Sequence, residues 1–209
     1  MARPASGTDI KLMAAGRKLL LEKGITGLSV REACREAGVN TGMFHYYFGS
    51  KEEFLQAVLK EMYAGFMLNF KAGVSAAGTP RQKLKSALVE LGRFALDVRK
   101  AMPMFFADMI YGKKEAFAFF SGNFTEHVRH LAALAEECRP ASALKGRSVP
   151  FLVASLVPVM IFPMLAGGIV ERNGVKSLGG VPLSKLREEI FSEEGIAERA
   201  EIALRGIGL

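Results

Sequence analysis

The chain has 209 residues, 50% of them hydrophobic and 23% charged, with two cysteines and no tryptophan. That balance is globular rather than disordered, and two cysteines, Cys34 and Cys138, are too few for a disulfide framework and suit a reducing compartment. The net charge of +7 is compatible with a nucleic-acid partner, but residues 1–60 hold only 9 Lys and Arg against 6 Asp and Glu, so the excess is spread along the chain. The length allows one large or two small domains. The opening MARPASGTDIKLM has no apolar run behind a basic segment and does not read as a secretory leader, which points to the cytoplasm.

In chain order, Leu12, Ala15, Gly16, Leu19 and Leu20 predict the inner face of a first helix that stops at Gly24. Ser29 is placed to cap a second helix, with Glu32 closing a capping box. Val30, Ala33, Cys34 and Ala37 then form one apolar stripe, and Gly38 ends the helix where a left-handed residue costs least. Asn40 caps a third helix, Thr41 to Phe48, whose Phe44 and Phe48 turn inward. Cys34 reads as a small apolar residue where the two helices cross. Two short helices joined by a tight turn make a helix-turn-helix. Neither helix buries enough surface to stand alone, so one face docks and the other is left for a partner such as a DNA groove. Thr41, Gly42, Met43, His45, Tyr46 and Tyr47 lie on the third helix, and Lys51 starts the fourth, which Ser50 and Glu53 cap. Hydroxyls, phenols, an imidazole and an ammonium so close together suit phosphate and base-edge contacts. A plain three-helix core with a polar face is the alternative.

Phe54, Leu55, Val58, Leu59 and Met62 carry helix four to about Lys71. GVSAAGTPRQ is a clear break, with Thr79 as cap, Pro80 at the first helical position and Gln82 completing the box. Leu84, Leu88, Leu91, Ala95 and Val98 line helix five. Pro103 opens a short helix through Tyr111. One helix is expected over Lys113–Glu137, ended by Arg139-Pro140, and another over Ser148–Val170. Gly174–Pro182 reads as a Gly-rich loop, Ser184–Phe191 as a short helix, and Ser192–Arg205 as the last. With no strand alternation and no repeat, the fold class is all-α with nine or ten helices. Residues 148–170 carry no charge. They are long enough to span a bilayer, or they are buried against the domain and a second subunit. Pro150, Pro158 and Pro163 argue against one clean helix and predict a kink near Pro158 or Pro163. Residues 102–124, MPMFFADMIYGKKEAFAFFSGNF, are rich in Met and Phe, which make either adaptable pocket walls or ordinary core.

The stretch AAGRKLLLEKGITGLSVREACREAGVNTGMFHYYFGSKEEFLQAVL, Ala14 to Leu59, resembles the DNA-binding domain of tetracycline-repressor-type (TetR/AcrR) transcriptional regulators. It agrees with that family in the first helix, the Gly-containing loop, the helix-turn-helix, the aromatic-rich recognition helix and the Ser-Lys-Glu start of helix four. The resemblance implies an N-terminal helix-turn-helix domain over residues 1–52 and a helical ligand-binding and dimerisation domain over 53–209. It implies that Asn40, Thr41, Gly42 and Met43 present the start of the recognition helix to the groove. His45, Tyr46 and Tyr47 would contact phosphates or bases, and Ser29 and Lys51 would hold the flanking backbone. His45 stands where Tyr is common, Cys34 where Ala is usual, and Met43 suits a thymine methyl better than a polar base edge. The resemblance also implies a homodimer through Ser148–Val170 and Ser192–Arg205, not a membrane span. Its two recognition helices, roughly 34–36 Å apart, would meet a palindromic operator in double-stranded DNA. A pocket for a small apolar or amphipathic effector would be lined by Met102, Phe105, Phe106, Met109, Tyr111, Phe120, Phe124, Met160 and Met164. Asp108, Tyr111, Asn123 and His127 are candidate polar groups, and a buried Asp108 would suggest a cationic ligand. The implied function is a ligand-responsive repressor without a cofactor, with helix four as the lever between effector and DNA.

Other classes have little support in the residues. An enzyme would show a phosphate loop, a nucleophile elbow or a convergent catalytic set, and none is present. His127 and His130 are three apart on a helix, but only Cys138 and scattered Glu lie near them, so no metal site is expected. A non-specific DNA-architectural protein would spread basic residues along a surface and would have no use for the Met/Phe-rich half.

Overall fold

The computed structural model describes residues 7–123, 125–138 and 146–209. Phe124, Arg139 and Pro140 lie outside them. In chain order the helices are α1 (Gly7–Gly27), α2 (Val30–Ala37), α3 (Thr41–Phe48), α4 (Lys51–Ser75), α5 (Pro80–Val98), α6 (Met102–Ile110), α7 (Lys114–Asn123), α8 (Thr125–Cys138), α9 (Val149–Arg172), α10 (Leu183–Ile190) and α11 (Glu193–Gly206). Between α9 and α10 lie two short strands, β1 (Ser177–Leu178) and β2 (Val181–Pro182). The fold is all-α. α7 and α8 lie within the single helix expected over Lys113–Glu137, on either side of Phe124, which is outside the described residues. The Gly174–Pro182 loop contains an antiparallel hairpin in which Leu178 pairs with Val181. Its turn is Gly179-Gly180, with φ of 56° and 82°, a left-handed pair that glycine adopts without strain and that matches strand twist. α9 is one helix over Val149–Arg172 with Pro158 and Pro163 inside it, on the stretch expected to be helical.

The described residues pack as two compact units, 7–64 with 101–123, and 65–100 with the rest. This grouping is not a single cut in the chain, because α6 and α7 join the N-terminal helices. In the first unit Leu12, Leu19, Leu20, Leu28, Ala33, Phe44, Phe54, Leu55 and Val58 form the core. At Gly16 the side chains of α4 press close against α1. A Cβ there would stand 2.5 Å from Phe54 Cζ and 2.7 Å from Val58 Cγ2. The helical path of α1 is interrupted at Gly24, with φ 73° and ψ −174°, which only glycine takes cheaply. The same glycine lets α6 approach, since a Cβ on Gly24 would sit 2.5 Å from Met104 Cβ. One turn along α6, Asp108 Oδ1 accepts a 2.5 Å hydrogen bond from Thr26 Oγ1. Within this unit α1 and α6, some 80 residues apart in sequence, meet at Gly24 and through the Thr26–Asp108 hydrogen bond.

The second unit is built on α5, α8, α9 and α11, which pack against one another. α5 begins as the sequence predicts: Thr79 accepts from Gln82 N, Gln82 accepts from Thr79 N, and Pro80 sits in the first turn. Leu152, Leu156, Met160 and Met164 form the buried stripe of α9 at a spacing of four. Gly92 on α5 makes room for this stripe, because a Cβ there would lie 2.8 Å from Met160 Cε and 2.7 Å from Ile196 Cγ2 of α11. At the edge, Glu201 is held by Arg81 at 2.6 Å, Lys85 at 2.9 Å and Arg205 at 3.1 Å. The hydrogen bonds from Arg81 and Lys85 bring its carboxyl down to about 2. The C-terminal half of α4 contributes Phe66 and Phe70, and Phe66 stacks on Phe94 at 4.6 Å.

Candidate nucleic-acid interface

The helix-turn-helix is assembled from its caps. α2 ends at Gly38, whose φ of 66° puts it in the left-handed region, and its N–H reaches the Arg35 and Cys34 carbonyls. Val39 N–H follows to the Cys34 carbonyl at 3.0 Å. Asn40 then opens α3 by accepting from Met43 N at 2.8 Å, as expected. Ser50 and Glu53 cap α4 reciprocally, at 3.2 and 3.1 Å. The box expected at Ser29 and Glu32 does not form. Ser29 has the extended backbone of a cap, but its side chain makes no cap bond. Glu32 is drawn away by Lys23 Nζ of α1 at 2.5 Å and by Arg35 at 3.1 Å. The Lys23 hydrogen bond lowers its pKa. Together with the Lys18–Glu36 pair, this bond fastens α2 to α1.

α3 is anchored by one residue. Phe44 is fully buried, with Phe54 at 5.1 Å edge-on and Phe48 at 5.8 Å. Phe48 itself is half-buried. The opposite side of α3 is open. Asn40, Thr41, Gly42, His45 and Tyr46 are exposed, and Met43, Tyr47 and Lys51 are half-buried. Tyr46 is 56% exposed, and its ring meets Tyr47 edge-on at 5.1 Å. His45 has an internal duty that the sequence did not suggest. Its Nδ1 lies 2.8 Å from the Gly49 carbonyl. A carbonyl only accepts, so the ring donates there and keeps Nε2 for an outside partner. Gly49, at φ 69°, closes the turn, and a side chain there would run into the Glu53 carboxylate.

Sequence reasoning passed over Arg31. It is exposed in the first turn of α2 and pairs with no carboxylate among the described residues. A cation at a helix N-terminus is unfavourably placed unless an anion meets it. That misplacement was the available signal. Cys34 is buried at 4% exposure, and burial raises its thiol pKa, which suits a packing residue rather than a reactive one.

The Met/Phe set is divided between the two packing units. Met102 is buried; Phe105, Phe106 and Met109 are half-buried; Phe120 is exposed. Tyr111 is 81% exposed where the chain leaves α6. Phe105 meets Phe106 at 6.4 Å and Phe119 at 6.2 Å. Met160 and Met164 are fully buried in the second unit, and Phe124 lies outside the described residues. Of the candidate polar groups, Asp108 is buried in the first unit, and Asn123 ends α7. His127 is buried in the second unit between Phe66 and Phe70, at 5.4 and 6.1 Å. Burial lowers its pKa to about 4, with Glu126 opposing and His130 assisting. Among the described residues no group of three His, Cys, Asp or Glu is placed to hold a metal ion.

The sequence profile of bacterial regulatory proteins of the tetR family matches residues 12–58. The transcriptional regulator BetI of Rhizobium meliloti is 32% identical over 80 residues, 38% of this chain and 39% of that protein. The transcriptional repressor NemR of Escherichia coli is 42% identical over 55 residues, 26% of this chain and 28% of that protein. The chain therefore spans well under half the length of these curated relatives. A TetR transcription regulator from Haloarcula marismortui shares the fold at a TM-score of 0.70 and 18% identity, covering 97% of this chain and 99% of that one.

Proposed function

Because residues 12–58 match the tetR family of bacterial regulatory proteins, we propose that the chain is a member of that family and a ligand-responsive transcriptional repressor rather than an enzyme. The observation that carries this reading is α3, a helix whose inner side is pinned by Phe44 and capped by Asn40 while its outer side leaves polar groups open. Thr41, Gly42 and Met43 enter the major groove. Tyr46, Tyr47 and His45 Nε2 contact bases or phosphates, and Ser29, Lys51 and Arg31 hold the backbone from two helix N-termini. Residues 1–52 read DNA, and residues 53–209 bind the effector and dimerise.

The dimer forms through Ser148–Val170 and Ser192–Arg205. α9 supports this with two apolar faces: the stripe of Leu152, Leu156, Met160 and Met164 is buried, and Phe162 at 67%, Ile169 at 46% and Phe151 at 45% are exposed opposite it. α9 is long and apolar enough to cross a membrane, with a mean hydropathy of 2.2. A second copy covers the same face at the cytoplasmic location proposed for a transcriptional regulator. The effector is small and apolar or amphipathic, held by Met102, Phe105, Phe106, Met109 and Phe120. α4 belongs to both packing units and is the lever by which effector and operator exclude each other.

The test is binding of the purified protein to its own upstream intergenic DNA at fixed salt with excess unrelated duplex. Retained binding supports a site-specific regulator. Equal loss to any duplex overturns it. Phe162→Glu is expected to give a monomer by light scattering with weakened operator binding, and an unchanged dimer would remove α9 from the interface.

A further inference from the structure

The α6–α7 segment holds one polar side chain that DNA binding and dimerisation leave unexplained. Asp108 is only 7% exposed, and its two carboxylate oxygens are treated differently. Oδ1 accepts from Thr26 Oγ1 at 2.5 Å, whereas Oδ2 is buried with no hydrogen-bond partner. A buried carboxylate oxygen left unpaired is costly, and an Asn at this position could accept from Thr26 just as well without carrying a buried charge. Met104 and Phe105 precede Asp108 by one helical turn and share its side of α6, and Phe105 meets the buried Phe119 of α7 at 6.2 Å.

We infer that Asp108 Oδ2 is the recognition point for a protonated amine, so that the effector is a cationic amphiphile. This rests on the effector-responsive reading above. The ammonium donates to Oδ2, and the apolar body packs on Phe105 and Met104, where an aromatic face also attracts a cation. An anionic head group would set a second negative charge beside an unpaired one. A neutral chain would leave Oδ2 as it is. The same carboxylate holds Thr26, in the last turn of α1, through Oδ1, so a cation on Oδ2 acts on the group that joins α6 to the segment leading into α2.

The test uses three chain-matched probes below their micellar concentrations: decylamine, decanol and decanoate. Each is titrated against the full-length protein alone, by thermal shift, and against the protein–operator complex, by fluorescence anisotropy. Decylamine is expected to bind roughly tenfold or more tighter than decanol, the effect of one charge-assisted hydrogen bond, with decanoate weakest. Asp108→Asn should bring decylamine and decanol together, while Asp97→Asn, which removes an exposed carboxylate on α5, should keep the preference. Should Asp108→Asn fail to fold, Thr26→Val decides: it leaves the carboxylate and removes its donor, so the amine preference should persist or grow. Tightest binding by decanoate, equal binding of all three, or a preference lost in Thr26→Val overturns the inference. Operator release by decanoate alone would do so while leaving the regulator reading intact. Absence of specific operator binding would overturn the regulator reading itself.

Discussion

His127 should make this protein acid-sensitive in a defined window. Its imidazole is 4% exposed among Phe66 and Phe70, and burial lowers its pKa from 6.5 to about 4. Above pH 6.5 the ring is neutral both folded and unfolded, and it contributes no pH dependence. As pH falls from 6.5 toward 4, the unfolded chain takes up a proton that the folded chain refuses, so stability falls. At pH 4.5 the linkage amounts to about 2–3 kcal/mol, a large part of a typical domain's stability. His127→Phe keeps a ring against Phe66 and Phe70 and removes the proton. Urea unfolding followed by circular dichroism at pH 7.0 and pH 4.5 measures the loss in each protein. Carboxylates held low by their partners, such as Glu201, weaken both proteins in acid alike and cancel in the comparison. The wild type should lose about 2–3 kcal/mol more than the variant between the two pH values. Parallel losses would show that burial of this imidazole does not control its proton.

Three further outcomes follow from the geometry. Asn40→Ala removes the acceptor for Met43 N and should cost about 1 kcal/mol in urea unfolding while weakening operator binding through the frayed start of α3; an unchanged midpoint would remove the cap from the argument. Lys51→Ala should leave the midpoint within about 0.5 kcal/mol, weaken operator binding, and reduce the log–log salt slope by about 0.9. Weaker binding with an unchanged slope would mean that Lys51 meets no phosphate. Gly92→Val should cost at least about 1–3 kcal/mol, because its Cβ alone would press on Ile196 and Met160 at 2.7 and 2.8 Å; full stability would mean that α5, α9 and α11 have room to part.

What the sequence determined by itself is local. The helix faces followed from spacing, as in Leu12, Ala15, Gly16, Leu19 and Leu20, all buried in α1. The caps at Asn40, Ser50 and Thr79 formed because donor and acceptor are three residues apart and meet whatever the rest of the chain does. Ser29 looked the same and failed, because Lys23, nine residues from Glu32, took its carboxylate. The Gly179-Gly180 hairpin was missed because a two-residue strand has no period to read. Exposure of Tyr46 and burial of Phe44 were legible, since a short helix has one inside. Tertiary structure alone decided the rest. It set Met104 against Gly24 and joined Asp108 to Thr26, 82 residues apart. It buried His127 and left one oxygen of Asp108 unpaired. Local rules fix where a backbone turns and caps because the interacting groups are covalent neighbours. Desolvation, and the partner a charge finds or lacks, depend on which distant surface arrives beside it.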